Sequence, residues 1–382
     1  MCRAYHQCWL VVFKRLTNVV KSRLDFIDSL RGWAILGVIV THVGSIVSYE
    51  GLLSSLVSKS GYGVQLFFII SAFTIFLTLD KARGRDRFLW TNFFTKRMFR
   101  IAPVYWAGII LYTAVFGLQS RGWLPGPEPW HFPMHFFFVN LLHPQTPSSV
   151  VPGGWSISCE VLFYALCPML FIWLTNLRRA MLFSILSVGL GLLTLLSFKL
   201  IFQETFSQSY GDKLAYQYFY RSIFMQLGCF SFGIVLFHLY KQPKVLHAVN
   251  KKVGDFLLPM SLCIFAVVFA KLLPGAVSHY AFCVAAFLLA LRMVDNHLSF
   301  FENRALIFLG RISYSGYIVH FIVIYGVNKW LGVDQFLPLL LASLALTIPL
   351  AYVLFQTLER GAISMAKHIV TRRENAATGL ST

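Results

Sequence analysis

The sequence predicts an all-α integral membrane protein of about ten transmembrane helices with both termini in the cytoplasm. Three observations carry that expectation. Of 382 residues, 57% are hydrophobic and only 13% charged, against about a quarter charged in soluble domains. The apolar residues collect in runs of roughly 17–25, the length a helix needs to cross a hydrocarbon core of about 30 Å. The basic residues gather on alternate connections between those runs. The same composition excludes disordered, collagen-like and disulfide-framework classes, and a soluble domain with one large core.

The runs fall near 27–48, 61–79, 101–118, 155–175, 181–202, 222–240, 255–272, 277–293, 305–326 and 337–357. The first holds Asp28, Arg31 and His42, the third follows the basic cluster Lys96 to Arg100, and the fourth opens after Gly153-Gly154. A further run, Met134 to Leu142, is too short to cross and is bracketed by Pro133 and Pro144, so it lies at the interface or re-enters. With the N-terminus inside, the cytoplasmic segments hold 25 Lys and Arg, and the external ones only Lys59, Arg121, Lys213, Arg221 and Lys329. That split satisfies the positive-inside rule, and dropping one span would scramble it. The net charge of +18 therefore reads as orientation rather than nucleic-acid binding. Lys199 and Lys271 read as snorkelling residues within spans.

This organisation gives a cytoplasmic tail at 1–23, a membrane domain at 24–360 and a cytoplasmic tail at 361–382 too short and polar to fold alone. The apolar patch Trp9 to Phe13 is shorter than the core of a signal peptide. Cys2, Cys8, Cys159, Cys167, Cys229, Cys263 and Cys283 show no C-x-x-C spacing and read as packing residues. The larger external connections, 119–154 with Trp123, Trp130 and Phe132 and 203–221 with Tyr210, Tyr216, Tyr218 and Tyr220, suit either an interfacial aromatic belt or stacking on a large acceptor.

Ionisable residues inside spans are functional candidates. Arg31 and His42 are eleven residues apart, almost three turns, so they share a helix face with about 16 Å of rise between them. The alternatives are a snorkelling Arg31 and a His42 that only bonds a neighbouring helix. Arg97 and Arg100, three apart, point the same way as a two-pronged site for phosphate or carboxylate. Glu160 near the external start of the fourth span is a carboxylate at the depth argued for His42, where it would orient the imidazole, or else an interfacial, solvated group. His131 and His135 with Glu128 have ligand types, but Pro133 intervenes and no ligand set is evident, so no metal is expected.

Five segments, Leu24 to His42, Gly63 to Phe73, Arg97 to Tyr105, Trp155 to Tyr164 and Leu309 to His320, stand in the order and spacing of the membrane acyltransferase 3 family, which the chain resembles from about residue 24 to 360. It resembles members without the appended hydrolase-like domain. The resemblance implies O-acylation, commonly O-acetylation, of cell-envelope or exported glycans from cytosolic acyl-CoA, in the plasma (inner) membrane. On that pattern His42 matches the catalytic residue of Arg-x10-His, Arg31 its arginine, Arg97 and Arg100 the Arg-x2-Arg donor site, and Glu160 the acidic residue of the Trp-Ser motif. Departures are Gln65 for a frequent acid, Ala72 for glycine, and Gly361 for the proline that often follows the terminal acid, here Glu359. Ser313, Tyr314 and His320 belong to a family motif but equally suit interhelical hydrogen bonding.

The implied reaction places acyl-CoA phosphates at the arginines and the thioester at His42, acting as general base or through an acyl-imidazole. A transporter or exporter of an anionic or glycan substrate is the second class, since buried Arg, His and Glu also line permeation routes. Transporters carry internal repeats and broken helices, for which the sequence gives no sign. A non-catalytic scaffold would leave His42 without a use.

Overall fold

The computed structural model describes residues 24–47, 52–121 and 125–378, so the tail at 1–23, Cys2, Cys8 and Trp123 lie outside the described residues. Helix α1 (Asp25–Gly44) is followed by the short α2 (Leu52–Lys59), a 3-10 turn (Ser60–Tyr62) and α3 (Gly63–Ala82). Then come α4 (Leu89–Phe116), the short α5 (His131–Phe136) and α6 (Gly154–Trp173). Helix α7 (Leu177–Ser197) passes through a π turn into α8 (Gln203–Tyr210), and α9 (Asp212–Arg221) leads into α10 (Ile223–Tyr240). The chain ends with α11 (Pro243–Phe269), α12 (Gly275–Asp295), α13 (Arg304–Arg311), α14 (Ser313–Trp330), α15 (Phe336–Leu354), a π turn (Phe355–Glu359) and α16 (Arg360–Thr378).

Among the described residues there are no strands, and nine helices are long and apolar enough to cross a membrane. A tenth exists only if α13 and α14 count as one span, and that pair is bent by 80°. The protein is thus an all-α, multi-pass membrane protein whose ninth apolar run, 305–326, is broken at Ile312. The broken helix missing from the sequence reading is therefore present. The segment 203–221, expected as an external connection, is helical, and α8 and α9 meet at Gly211, whose φ of 80° turns the chain. Falling hydropathy alone does not prevent helix, and 203–221 holds no proline to stop it.

Packing sorts the helices by exposure. Helix α10 is buried along most of its length, with Met225, Cys229, Phe230 and Ile234 sealed from any solvent. In contrast α7, α11 and α15 turn Leu182, Ile185, Phe256, Met260, Leu337 and Leu341 outward, a pattern stable only against lipid. Helix α16 does not stand alone. Glu374 accepts hydrogen bonds from the backbone N–H of Arg87 at 3.0 Å and Phe88 at 3.1 Å, and so caps the start of α4.

Two glycines let α13 lie flat on α1. A Cβ on Gly310 would stand 1.7 Å from the carbonyl oxygen of Asp28, and one on Gly32 would stand 2.2 Å from that of Leu306. Backbone cannot yield as a side-chain tip can, so Gly310→Ala is expected to destabilise the fold by about 1–3 kcal/mol or more. Gly316→Ala, whose Cβ would meet nothing nearer than 3.6 Å, is the matched control. The yield of monodisperse protein in detergent and its melting temperature should fall for the first and hold for the second.

Candidate active site

Helices α1, α3, α4, α6 and α14 converge on a cavity of about 80 Å³ lined by Arg31, Arg97, Arg100, Glu160, Tyr314 and Tyr317, among others. Arg31 donates to Asp28 at 2.9 Å and to Thr74 at 3.4 Å, and Asp28 is shared with Arg311 at 3.5 Å. The ion pair explains how an arginine is tolerated one to two turns into a spanning helix. Arg97 lies against the rings of Phe93 and Tyr164, each 5.8 Å from its guanidinium carbon. Among the described residues neither Arg97 nor Arg100 has a hydrogen bond or an ion pair, so their donors remain open to the cavity.

The break between α13 and α14 brings a helix start to this cavity, since Ser313 and Tyr314 are part of its wall. The positive end of a helix adds to the field of the three arginines. Buried Glu359 caps that start, accepting from the Ser315 hydroxyl at 2.7 Å and from its backbone N–H, and it is the main counter-charge of Arg100. Tyr314 donates to the carbonyl of Ile101 at 2.7 Å, tying α14 to the arginine-bearing turn of α4.

His42 does not line this cavity. Tyr317 is the link. Its hydroxyl is 2.8 Å from Ser156 Oγ and donates to the carbonyl of Gly153 at 3.1 Å, and its ring lies 5.5 Å from that of His320. His320, fully buried, uses Nδ1 to donate to the Tyr317 carbonyl at 2.7 Å, and its Nε2 has no partner among the described residues. The His42 ring follows at 5.3 Å from His320 and 4.2 Å from Phe321. Among the described residues no hydrogen bond orients the His42 ring, so packing alone holds it. Arg221, 5.5 Å over the Trp155 ring, is near enough for its charge to act on both His42 and Tyr317.

Glu160 corrects one expectation. It accepts from Ser71 and, at 2.7 Å, from Tyr164, and it lies among the arginines rather than beside His42. The reason is depth: Glu160 is six residues into α6, about 9 Å of rise, while His42 is two residues from the end of α1, about 3 Å. The structure also brings in Arg221, Tyr317, His320 and Glu359, and no local signal in the sequence joins them to His42 or to the arginines. Arg221 had been counted as an external charge.

The connection between α4 and α6 is built around His135. Its Nε2 donates to the carbonyl of Thr146 at 2.7 Å, so Nδ1 accepts from the Tyr105 hydroxyl at 2.8 Å. His131 and Glu128 do not join it as a ligand set: His131 Nδ1 faces the backbone N–H of Glu128 at 3.3 Å, and the Glu128 carboxylate accepts from Trp130. Gly153, at φ 77°, leaves no room for a Cβ against Tyr317, and this turn delivers the start of α6. Burial holds the His135 imidazole down to about 3. The unfolded chain takes up that proton near the ordinary 6.5, so the stabilisation is complete above that value and is lost as pH falls. About 2 kcal/mol should be gone by pH 5. The melting temperature of the wild type should drop between pH 7 and pH 5, and His135→Asn should show a shallower drop; equal slopes would contradict the assignment.

A helical bundle long and apolar enough to cross a membrane several times, with open arginines in an internal cavity and a pair of imidazoles beyond its Tyr317 wall, defines a multi-pass membrane protein with a polar interior site. Comparison with protein families names it further. Residues 24–356 match the model of the acyltransferase 3 family, described as an acyltransferase domain, and the chain belongs to that family. It is a membrane acyltransferase. No curated protein sequence matches the chain.

Proposed function

We propose that this acyltransferase moves an acyl group, acetyl in the first instance, from cytosolic acyl-CoA to a hydroxyl of a carbohydrate acceptor on the outer side of the plasma membrane. The observation that carries this reading is the pair of open guanidiniums, Arg97 and Arg100, in a cavity whose far wall, Tyr317, leads to His320 and His42. Paired guanidiniums suit phosphates. In this reading the nucleotide phosphates sit at the arginines and the pantetheine arm extends along the cavity toward Tyr317. Arg31 and the helix start at Ser313 add positive potential along that path.

At the upper end the neutral His42 imidazole removes the acceptor proton as the hydroxyl oxygen attacks the thioester carbonyl. The carbon–sulfur bond then breaks, and the departing thiolate takes the proton from the imidazolium. The positive charge of Arg221 is placed to favour the oxyanion formed in between. Glu160 serves the donor end, holding Tyr164 and balancing the arginines, and does not orient the base. The orientation with both termini inside follows from the distribution of basic residues.

Purified protein in lipid discs, given acetyl-CoA labelled in the acetyl group and a panel of cell-envelope glycans, should release free thiol and transfer label to one of them. Absence of thiol release with every glycan and every short acyl-CoA would remove the donor assignment. The 80° break between α13 and α14 beside the cavity supports a second reading, export of a glycan through the same bundle. Glycan moved across a sealed vesicle without gaining label would favour that reading.

A further inference from the structure

Away from the arginine cavity, α10 and α12 enclose a second cluster of chemistry-bearing side chains. Cys229 on α10 and His279 and Cys283 on α12 are each fully sealed from solvent. The Cys229 sulfur is 3.1 Å from His279 Nε2 and 3.4 Å from the Cys283 sulfur, and all three ligand atoms lie within 4.8 Å of one another. We propose that Cys229, His279 and Cys283 form a metal site for a thiophilic divalent cation, zinc foremost. The proposal is independent of the reading of the acyl-transfer chemistry.

Four arguments converge. Tetrahedral ligands at zinc–sulfur and zinc–nitrogen lengths of about 2.3 and 2.0 Å stand roughly 3.5–3.8 Å apart, so only small side-chain rotations separate the observed positions from a coordination shell. Charge discriminates between cations. A dication with two thiolates and a neutral imidazole is electrically neutral, whereas a monovalent cation would leave a net negative charge in a buried, low-dielectric place. The histidine can ligate through Nε2, because Tyr220 Oη lies 3.0 Å from Nδ1 and can accept a hydrogen bond from its N–H, which leaves Nε2 free for the cation. No fourth protein ligand joins the three among the described residues, so a buried water would complete the shell, as in zinc sites with two cysteines and a histidine.

Binding is balanced as an exchange: the dication forms two metal–sulfur bonds and one metal–nitrogen bond, and two thiol protons leave to solvent. The consequence is a clip between α10 and α12 that also secures Tyr220, the residue preceding Arg221, at the end of α9.

The test uses the full-length chain purified in detergent, with metal measured by mass spectrometry after zinc incubation and removal of loose ions. Wild type and Cys263→Ser, an exposed cysteine outside the cluster, should carry about one zinc per chain, and Cys229→Ser and Cys283→Ser less than about a tenth of that. Should the cysteine variants fail to fold, Co²⁺ added to the wild type decides: a thiolate-to-cobalt charge-transfer band supports the site, and its absence overturns it. Sub-stoichiometric zinc in folded wild type, or an intact mass showing Cys229 and Cys283 joined as a disulfide, would overturn it equally.

Discussion

His42→Ala should lower acyl-transfer turnover by about 10²–10⁴-fold, the range a positioned general base supplies, while leaving donor affinity unchanged. The split between the two constants is the informative part. His42 sits beyond Tyr317 from the arginine cavity, so its loss removes a group acting on the acceptor hydroxyl and touches no donor phosphate. His42→Gln tests the same point with a side chain of similar reach but no useful basicity, and should be as inactive as the alanine variant. A variant that keeps turnover within a few-fold of the wild type would remove His42 from the chemistry. Packing against His320 and Phe321 makes a mild structural effect of the substitution possible to check by melting temperature, which should change far less than the rate.

Removing both donor arginines should give the complementary result. Each charge-assisted contact to phosphate is worth about 1.5–3 kcal/mol, so Arg97→Ala and Arg100→Ala should each weaken acetyl-CoA binding by roughly 10- to 100-fold. The fold should hold, because neither guanidinium has a hydrogen bond or ion pair to lose among the described residues. Arg100 carries one qualification in the opposite direction: its positive charge faces buried Glu359, so Arg100→Ala leaves that carboxylate less compensated and should cost more stability than Arg97→Ala. Lysine at either position should restore only part of the affinity, since an ammonium cannot make the two-pronged contact. Calorimetric titration with acetyl-CoA measures this directly, and unchanged affinity in the double variant would reject the role given to the pair.

The sequence made the membrane architecture legible because lipid imposes a simple rule on it, long apolar runs separated by charge, and the family resemblance rests on the same ordered segments. It also showed Arg31 and His42 on one helix face and Arg97 beside Arg100, since those relations lie within single helices. What it concealed needs tertiary structure. Arg221 reads as a loop charge until α9 is seen to set it over the Trp155 ring. Glu359 reads as the end of a span until α14 is seen to start against it. Glu160 was matched to the wrong partner because its distance from the membrane boundary depended on where α6 begins, at Gly154. His279 and Cys283, four apart on one helix, were a visible half of the second cluster; Cys229 is fifty residues earlier in the chain, and nothing local joins it to them.

The central claim is that open arginines at one end and His42 at the other are two ends of a single donor path through Tyr317. An electron-microscopy map of the protein in lipid with coenzyme A bound is the direct measurement. Phosphate density against Arg97 and Arg100, with the pantetheine arm passing Tyr317 and the thiol ending near His42, is the expected result. Coenzyme A seated elsewhere, or with its thiol turned away from His42, would contradict the account.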